Sequence, residues 1–337
     1  MGVDLGVLFE RREVKLNDLS GIRIAIDGHN TLYQFLSIIR QPDGTPLMNL
    51  HGGVTSHLSG LIYRVTNLIE AGIRPIFVFD GKPPDMKEST LQARRRVKEA
   101  AEKMWEEAKT EGSEDAFKYA QATSRITKEI AEDSKRLLDF MGIPVVQAPS
   151  DGEAQASFLV ANDDADYVGS QDYDSLLFGS KILLRNITIT GKRKLPKKKV
   201  YVDSKPELID LNANLNRLGI TREQLVNMAI LIGTDFNAGI KGIGPKRALK
   251  LIKKHGNIEG ALSELDTDIE DFPIIRDIFL YPDVASDYEV RWKSPEKDKI
   301  VDLLCHENDF SEDRVLKALE RLKGGAKQKQ KTFEAWF

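Results

Sequence analysis

Cysteine is almost missing from this 337-residue chain: Cys305 stands alone. No disulfide can form within the chain, which suits a reducing intracellular compartment. Long apolar runs are missing as well. No stretch of about 18 apolar residues occurs, so no membrane-spanning helix is expected. The opening "MGVDLGVLFERR" has no hydrophobic signal core. It begins Met-Gly, but Gly6 stands where a myristoylation signal needs Ser or Thr. An excess of positive charge is also lacking. The net charge is −3, so any contact with nucleic acid must come from local patches.

What is present is ordinary globular composition, 41% hydrophobic and 30% charged. The length predicts about two domains, or one large α/β domain with insertions. "GIRIAIDG" (21–28) and "RPIFVFDG" (74–81) read as buried strands ending on Asp27 and Asp80. "GIPVVQAPSDGEAQASFLVAN" (142–162) reads as strand, turn and helix. "ADYVGSQDYDSLLFGS" (165–180) reads as a short strand, a polar elbow and a second apolar stretch. Strand and helix alternate, which predicts an α/β fold with a mostly parallel central sheet covered on both faces. Residues 82–136 break the pattern. They are helix-forming, heavily charged and poor in large apolar residues, as expected of a helical excursion away from the sheet or of a plain solvated helix pair. From 225 the pattern is helical again.

The acids carry the most information. Asp27 and Asp80 end apolar strands. Asp151 and Glu153 open a helix just after a strand. Asp172 and Asp174 sit two apart in an elbow, and Asp235 follows the apolar run "MAILIG". Strand ends of a parallel sheet gather at one edge, where ligands bind. Seven carboxylates there would repel one another unless cations held them. Oxygen ligands without His or Cys point to Mg²⁺ or Mn²⁺ rather than zinc. So many acids could hold two ions, the arrangement that flanks a scissile phosphate. Each acid also has a structural reading. Ser150-Asp151-Gly152-Glu153 fits a capping box, and Asp-Gly pairs make turns.

"GIKGIGPKRA" places Gly242 and Gly244 about a tight turn, with Pro245 suited to the first position of the next helix. A helix N-terminus with Lys241, Lys246 and Arg247 beside it can grip a DNA backbone without reading bases. An ordinary Gly-Pro helix start would look the same. "KRKLPKKK" (192–199) has six basic residues in eight, and it reads as a phosphate-holding segment or a solvated loop. Lys87, Arg94, Arg95, Arg96 and Lys98 line the start of the charged excursion. Gly324-Gly325 mark a flexible joint before "KQKTFEAWF". On a helix, Phe333, Trp336 and Phe337 share one face, as a plug for a partner's groove or a tail folded onto its own core.

Taken in order and with their spacing, "IAIDGHNTLYQF", "FVFDGKPPDMK", "APSDGEAQAS", "SQDYDSLLFG", "ILIGTDF" and "GIKGIGPKRALKLIKKHG" resemble the structure-specific 5′ nucleases of the XPG/Rad2 type, most closely the archaeal flap endonucleases. The resemblance runs from Met1 to Phe337. It implies a PIN-like 5′ nuclease fold with a helical arch and a helix-hairpin-helix element. The nuclease domain would cover 1–322, in four regions: 1–81, the arch 82–136, 137–238, and the hairpin with its following helices 239–322. A tail, 323–337, would follow. The implied activity is that of a hydrolase, a structure-specific 5′ flap endonuclease with 5′–3′ exonuclease activity, in replication (Okazaki fragment maturation) and repair. The implied metal ligands are Asp27, Asp80, Asp151, Glu153, Asp172, Asp174 and Asp235, holding two Mg²⁺ for which Mn²⁺ can substitute. Asp151 stands where the family usually has Glu, one methylene longer, so its contact with metal is the least direct. Lys87 and Arg94 match the basic pair at the arch base that contacts the scissile phosphate. Tyr33 matches the aromatic that stacks on the terminal base, and Gly2 the N-terminal glycine near the site. Arg95 belongs with the DNA-binding set, and the hairpin would hold duplex DNA and K⁺. Gln330, Phe333, Trp336 and Phe337 fit the motif that binds the sliding clamp (PCNA). The implied protein is a monomer in the archaeal cytoplasm, associated with the nucleoid (nuclear in a eukaryote). A non-enzymatic DNA-junction adaptor docked on the clamp is the alternative. A small-molecule phosphatase is disfavoured, because "DGHNT" lacks the second Asp of a D-x-D-x-T nucleophile.

Overall fold

The computed structural model describes residues 3–82, 88–110, 115–188, 191–194 and 201–322. Seven strands form the main sheet: β1 (Arg12–Glu13), β2 (Arg23–Asp27), β3 (Arg74–Phe79), β4 (Val145–Gln147), β5 (Tyr167–Gly169), β6 (Ile182–Arg185) and β9 (Glu207–Asp210). Their order across the sheet is β1-β9-β6-β5-β2-β3-β4. β6, β5, β2, β3 and β4 run parallel, while β9 and β1 close one edge antiparallel. The expected mostly parallel sheet is therefore present. β7 (Gly191–Lys194) and β8 (Tyr201–Ser204) pair as a separate antiparallel hairpin, so the basic run at 192–199 begins on a strand.

The central strands are apolar throughout because both faces are covered. In β2, Ile24, Ala25 and Ile26 are fully buried, and successive side chains enter different cores. Ala25, Ile76, Val78 and Val168 join one core, under the helices Gly152–Ala161, Arg222–Ile232 and Phe272–Leu280. Ile24, Ile26, Phe77 and Phe79 join the other, under the helices Gly28–Ile38 and Lys128–Phe140 and the helices over 56–70 and 312–322. Truncating a ring such as Phe35 or Phe77 to Ala would cost about 3–5 kcal/mol.

The charged excursion is a helix, Glu88–Thr110, followed by a short one, Ala116–Ala122. The first is about 35 Å long at 1.5 Å per residue. Among the described residues of the two helices, the buried ones are Ala101, Ala108, Ala116 and Ala120, all small side chains. The tip of the turn at Asp43-Gly44 receives them. Trp105 Nε1 donates to the Asp43 carbonyl at 3.3 Å, and Lys109 lies 3.3 Å from the Asp43 carboxylate. The following helix, Lys128–Phe140, spans the expected arch boundary at 136. It buries Ile130, Leu137 and Leu138 on the sheet and so belongs to the core.

Candidate active site

Parallel strands deliver their carboxyl ends to one edge, and the acids stand there. Asp27 is the last residue of β2 and also the N-cap of the helix Gly28–Ile38, its Oδ1 accepting from Asn30 N at 3.0 Å. Asp80 follows β3. Its Oδ1 accepts from Gly152 N at 2.7 Å, and a Cβ on Gly152 would lie 2.7 Å from that oxygen, so glycine is what admits the contact. Gly81 meets the same constraint, since its Cβ would lie 2.2 Å from the Pro149 carbonyl.

The cap of the helix Gly152–Ala161 corrects the capping-box reading. Asp151, not Ser150, is the cap, accepting from Glu153 N at 2.9 Å and Ala154 N at 3.2 Å. Glu153 therefore does not reach back over the helix start. It is buried, and its Oε1 has no hydrogen-bond partner among the described residues. Asp172 lies in the elbow after β5. Asp174 opens the short helix Asp174–Leu177 and accepts from Val3 N at 3.1 Å.

Electrostatics tie all seven acids together. Burial raises the Asp27 carboxyl well above the carboxylate range, and the charges of Asp80, Asp151 and Asp172 raise it further. Burial likewise raises Glu153, helped by Asp174, Asp27, Asp172 and Asp151. Asp174 is pushed up to about 7 by burial and then by Asp172, Asp235 and Asp151. Among the described residues, no three His, Cys, Asp or Glu side chains lie close enough together to ligate one ion. The donor set nonetheless fits hard cations whose remaining positions are filled by water or substrate. It is carboxylate oxygen, and the buried Glu153 Oε1 needs a partner that no donor among the described residues supplies.

Sequence reasoning missed three contributors. His29 Nδ1 accepts from Asp80 N at 3.1 Å and lies 3.3 Å from Asp80 Oδ2. The backbone N–H of Val3 holds Asp174. Asn30 Nδ2 donates to Asp172 Oδ2 at 3.0 Å. An Asn three residues past a strand-end Asp was the one visible signal for the last of these.

The expected DNA-contacting residues are placed in part. Tyr33 is exposed on the helix Gly28–Ile38, with Lys98 Nζ 5.2 Å from its ring centre. Gly242 turns the chain at φ +84°, and Gly244 is the N-cap of the helix Pro245–His255, with no side-chain hydrogen bond from the cap. Lys241, Lys246 and Arg247 are exposed around that end, while Ile243 anchors the turn in the core. Gly2, Lys87, Gln330, Phe333, Trp336 and Phe337 lie outside the described residues. Arg94 and Arg95 fall on the helix Glu88–Thr110, their side chains outside the description.

Comparison with known proteins supplies the remaining context. Residues 1–101 match the XPG N-terminal domain and residues 142–235 the XPG I-region. The chain is 57% identical to flap endonuclease 1 of Methanococcoides burtonii over 100% of both chains. Its fold matches flap endonuclease-1 from Methanococcus jannaschii at TM-score 0.77 and 43% identity, over 97% of this chain and 100% of that one. The catalytic core of Rad2 in complex with DNA substrate matches at TM-score 0.70 and 24% identity, over 93% and 96%.

Proposed function

The chain belongs to the flap endonuclease 1 family of XPG-type nucleases and is a structure-specific 5′ flap endonuclease of replication and repair; from that premise we propose which residues carry the reaction. The observation that supports the assignment is the cluster of seven acids, in which burial and then neighbouring carboxylates raise Asp27, Glu153 and Asp174, with Glu153 Oε1 lacking a hydrogen-bond partner among the described residues.

Asp27, Asp80, Glu153, Asp172, Asp174 and Asp235 would hold two Mg²⁺ ions, for which Mn²⁺ can stand in. Asp151, already engaged as a helix cap, would act through water. Held by these acids, such ions would supply Lewis-acid polarisation of the phosphate and a water nucleophilic near neutral pH. Water adds to phosphorus, the P–O3′ bond breaks, and the products carry a 5′-phosphate and a 3′-hydroxyl. Lys87 and Arg94 would offset the charge that builds on the phosphate oxygens. Tyr33 would stack on the terminal base once Lys98 gives way. Gly2 and Arg95 would contact the strand nearby. The helix N-terminus at Pro245, with Lys241, Gly242, Gly244, Lys246 and Arg247, would hold duplex backbone by position rather than base identity, with K⁺ at the turn. Gln330, Phe333, Trp336 and Phe337 would dock the enzyme, a monomer of the archaeal cytoplasm, on the sliding clamp. The domain division follows from the same reading: a nuclease domain over 1–322 and a clamp-binding tail over 323–337.

Asp174→Asn and Glu153→Gln test the assignment. Both variants should bind a 5′-flap DNA within about threefold of wild type while losing at least ~10³-fold in single-turnover rate. A variant that cuts at near the wild-type rate would remove that residue from the chemistry.

A further inference from the structure

We propose that Asn30 is a positioning residue that aims the Asp172 carboxylate, and that Gln34 and Thr188 in turn fix Asn30. The inference rests on the reading of Asp172 as a metal-site acid. Residues 30 and 34 lie one turn apart on the same face of the helix Gly28–Ile38. Asn30 Nδ2 donates to Asp172 Oδ2 at 3.0 Å. Gln34 Nε2 donates to Asn30 Oδ1 at 2.5 Å, and Thr188 Oγ1 donates to Gln34 Oε1 at 3.0 Å. Arg64 Nη1 pins the far end by donating to the Thr188 carbonyl at 2.9 Å.

The direction of this relay follows from its inner end. An ionised carboxylate only accepts hydrogen bonds, so Asn30 must present its NH₂ to Asp172. Its carbonyl oxygen then faces Gln34 and needs a donor. Gln34 supplies its NH₂ and turns its own oxygen outward, where the buried Thr188 hydroxyl answers it. A flip of Asn30 would set its oxygen against Asp172 and its nitrogen against the Gln34 NH₂, and a flip of Gln34 would set its oxygen against the Asn30 oxygen, while the Thr188 hydroxyl can donate or accept. The two amides are therefore each fixed in one orientation by their mutual contact and by Asp172, and hydrogen bonds in such a chain strengthen one another.

Asp172 is where a fixed donor matters. It stands in an elbow between β5 and the helix Asp174–Leu177, outside any strand ladder, and Asp27, Glu153 and Asp174 crowd it. Repulsion alone would swing it toward solvent. The Asn30 amide holds Oδ2 and so fixes the orientation of the carboxylate. Partners that orient metal ligands in this way change metal affinity or activity by about 10–100-fold when removed.

The test uses the full-length protein. Isothermal titration of Mg²⁺ and Mn²⁺ without DNA reads metal affinity. Single-turnover cleavage of a double-flap DNA across Mg²⁺ concentrations reads activity, and flap affinity in EDTA reads binding alone. Asn30→Ala should weaken metal binding and raise the Mg²⁺ midpoint by about 10-fold or more, with flap affinity in EDTA within about twofold. Thr188→Val, which keeps shape and loses the hydroxyl, should move the same midpoint by about 3-fold, and Thr188→Ser should restore it. In an Asn30→Ala background the effect of Thr188→Val should vanish, because the relay no longer reaches Asp172. Additive effects, or Mg²⁺ midpoints unchanged in both variants, would overturn the proposal. If Asn30→Ala lowers the melting temperature sharply, the Thr188→Val and Thr188→Ser pair decides. Wild-type protein that binds no divalent cation would remove the metal-site reading and the relay together. Wild-type protein that binds and cuts, alongside variants that match it, would remove the relay alone.

Discussion

Asp174 shows how one residue can hold a functional site under tension. Its carboxyl sits at about 7 in the fold, against an ordinary value of 3.8, because burial and then Asp172, Asp235 and Asp151 disfavour its charge. Asp27 and Glu153 are displaced in the same direction. The folded state therefore binds protons more tightly than the unfolded chain. The stabilising contribution of Asp174 is full below about pH 4 and is lost as pH rises through about 7, and those of Asp27 and Glu153 also decline as pH rises. Exposed acids such as Asp43, held down to about 2 chiefly by the Thr45 hydroxyl, act oppositely and only in stronger acid. In EDTA the melting temperature should thus fall between pH 5 and 7.5 by several degrees. Mg²⁺ should restore it above pH 7, and Asp174→Asn should flatten the slope. Parallel pH profiles for wild type and Asp174→Asn would refute the electrostatic account. At this scale the strand-end acids were legible, since an apolar run closing on Asp is a local signal. The Asn30 relay was not, because its contacts to Asp172 and from Thr188 to Gln34 join residues 142 and 154 positions apart.

Among the elements, the hairpin before the helix Pro245–His255 combines backbone geometry with charge. Gly242 adopts φ +84° with nothing near where a Cβ would be, so Gly242→Ala meets no steric clash. Its cost is the left-handed backbone, about 1–2 kcal/mol. That is enough to loosen the turn while the helix persists. Lys246→Ala and Arg247→Ala should each weaken duplex affinity and reduce the salt slope of binding by about 0.9, one phosphate contact apiece. The position of the cut should not move. An unchanged salt slope in the double variant would show that this helix end does not touch the backbone. The parallel sheet was readable because strands buried on both faces are apolar runs. The limit of the charged excursion was less so. The helix Lys128–Phe140 carries charged residues on its outer side as the helix Glu88–Thr110 does, and only Ile130, Leu137 and Leu138 mark it as core. The cap at Asp151 was hidden for a related reason: a Ser-x-x-Glu pattern and an Asp cap fit the same four residues.

For the molecule as a whole, catalysis and recruitment should separate. The acids are held by the sheet edge and its helices, whereas Phe333, Trp336 and Phe337 come after Gly324-Gly325 in the sequence. Phe333→Ala with Phe337→Ala should abolish clamp binding by calorimetry and clamp stimulation of cleavage. Turnover without the clamp should stay within about twofold of wild type. Clamp binding that survives the double substitution would show that the tail is not the docking segment.

The most direct measurement is single-turnover cleavage of an end-labelled double-flap DNA, mapped to single nucleotides in Mg²⁺ and in EDTA. The acid cluster and its role predict one metal-dependent cut at the base of the 5′ flap, about one nucleotide into the downstream duplex, absent in EDTA and in Asp174→Asn. Tight binding of the same DNA with no cut in Mg²⁺ or Mn²⁺ would contradict it, and would leave a junction-binding adaptor as the better description.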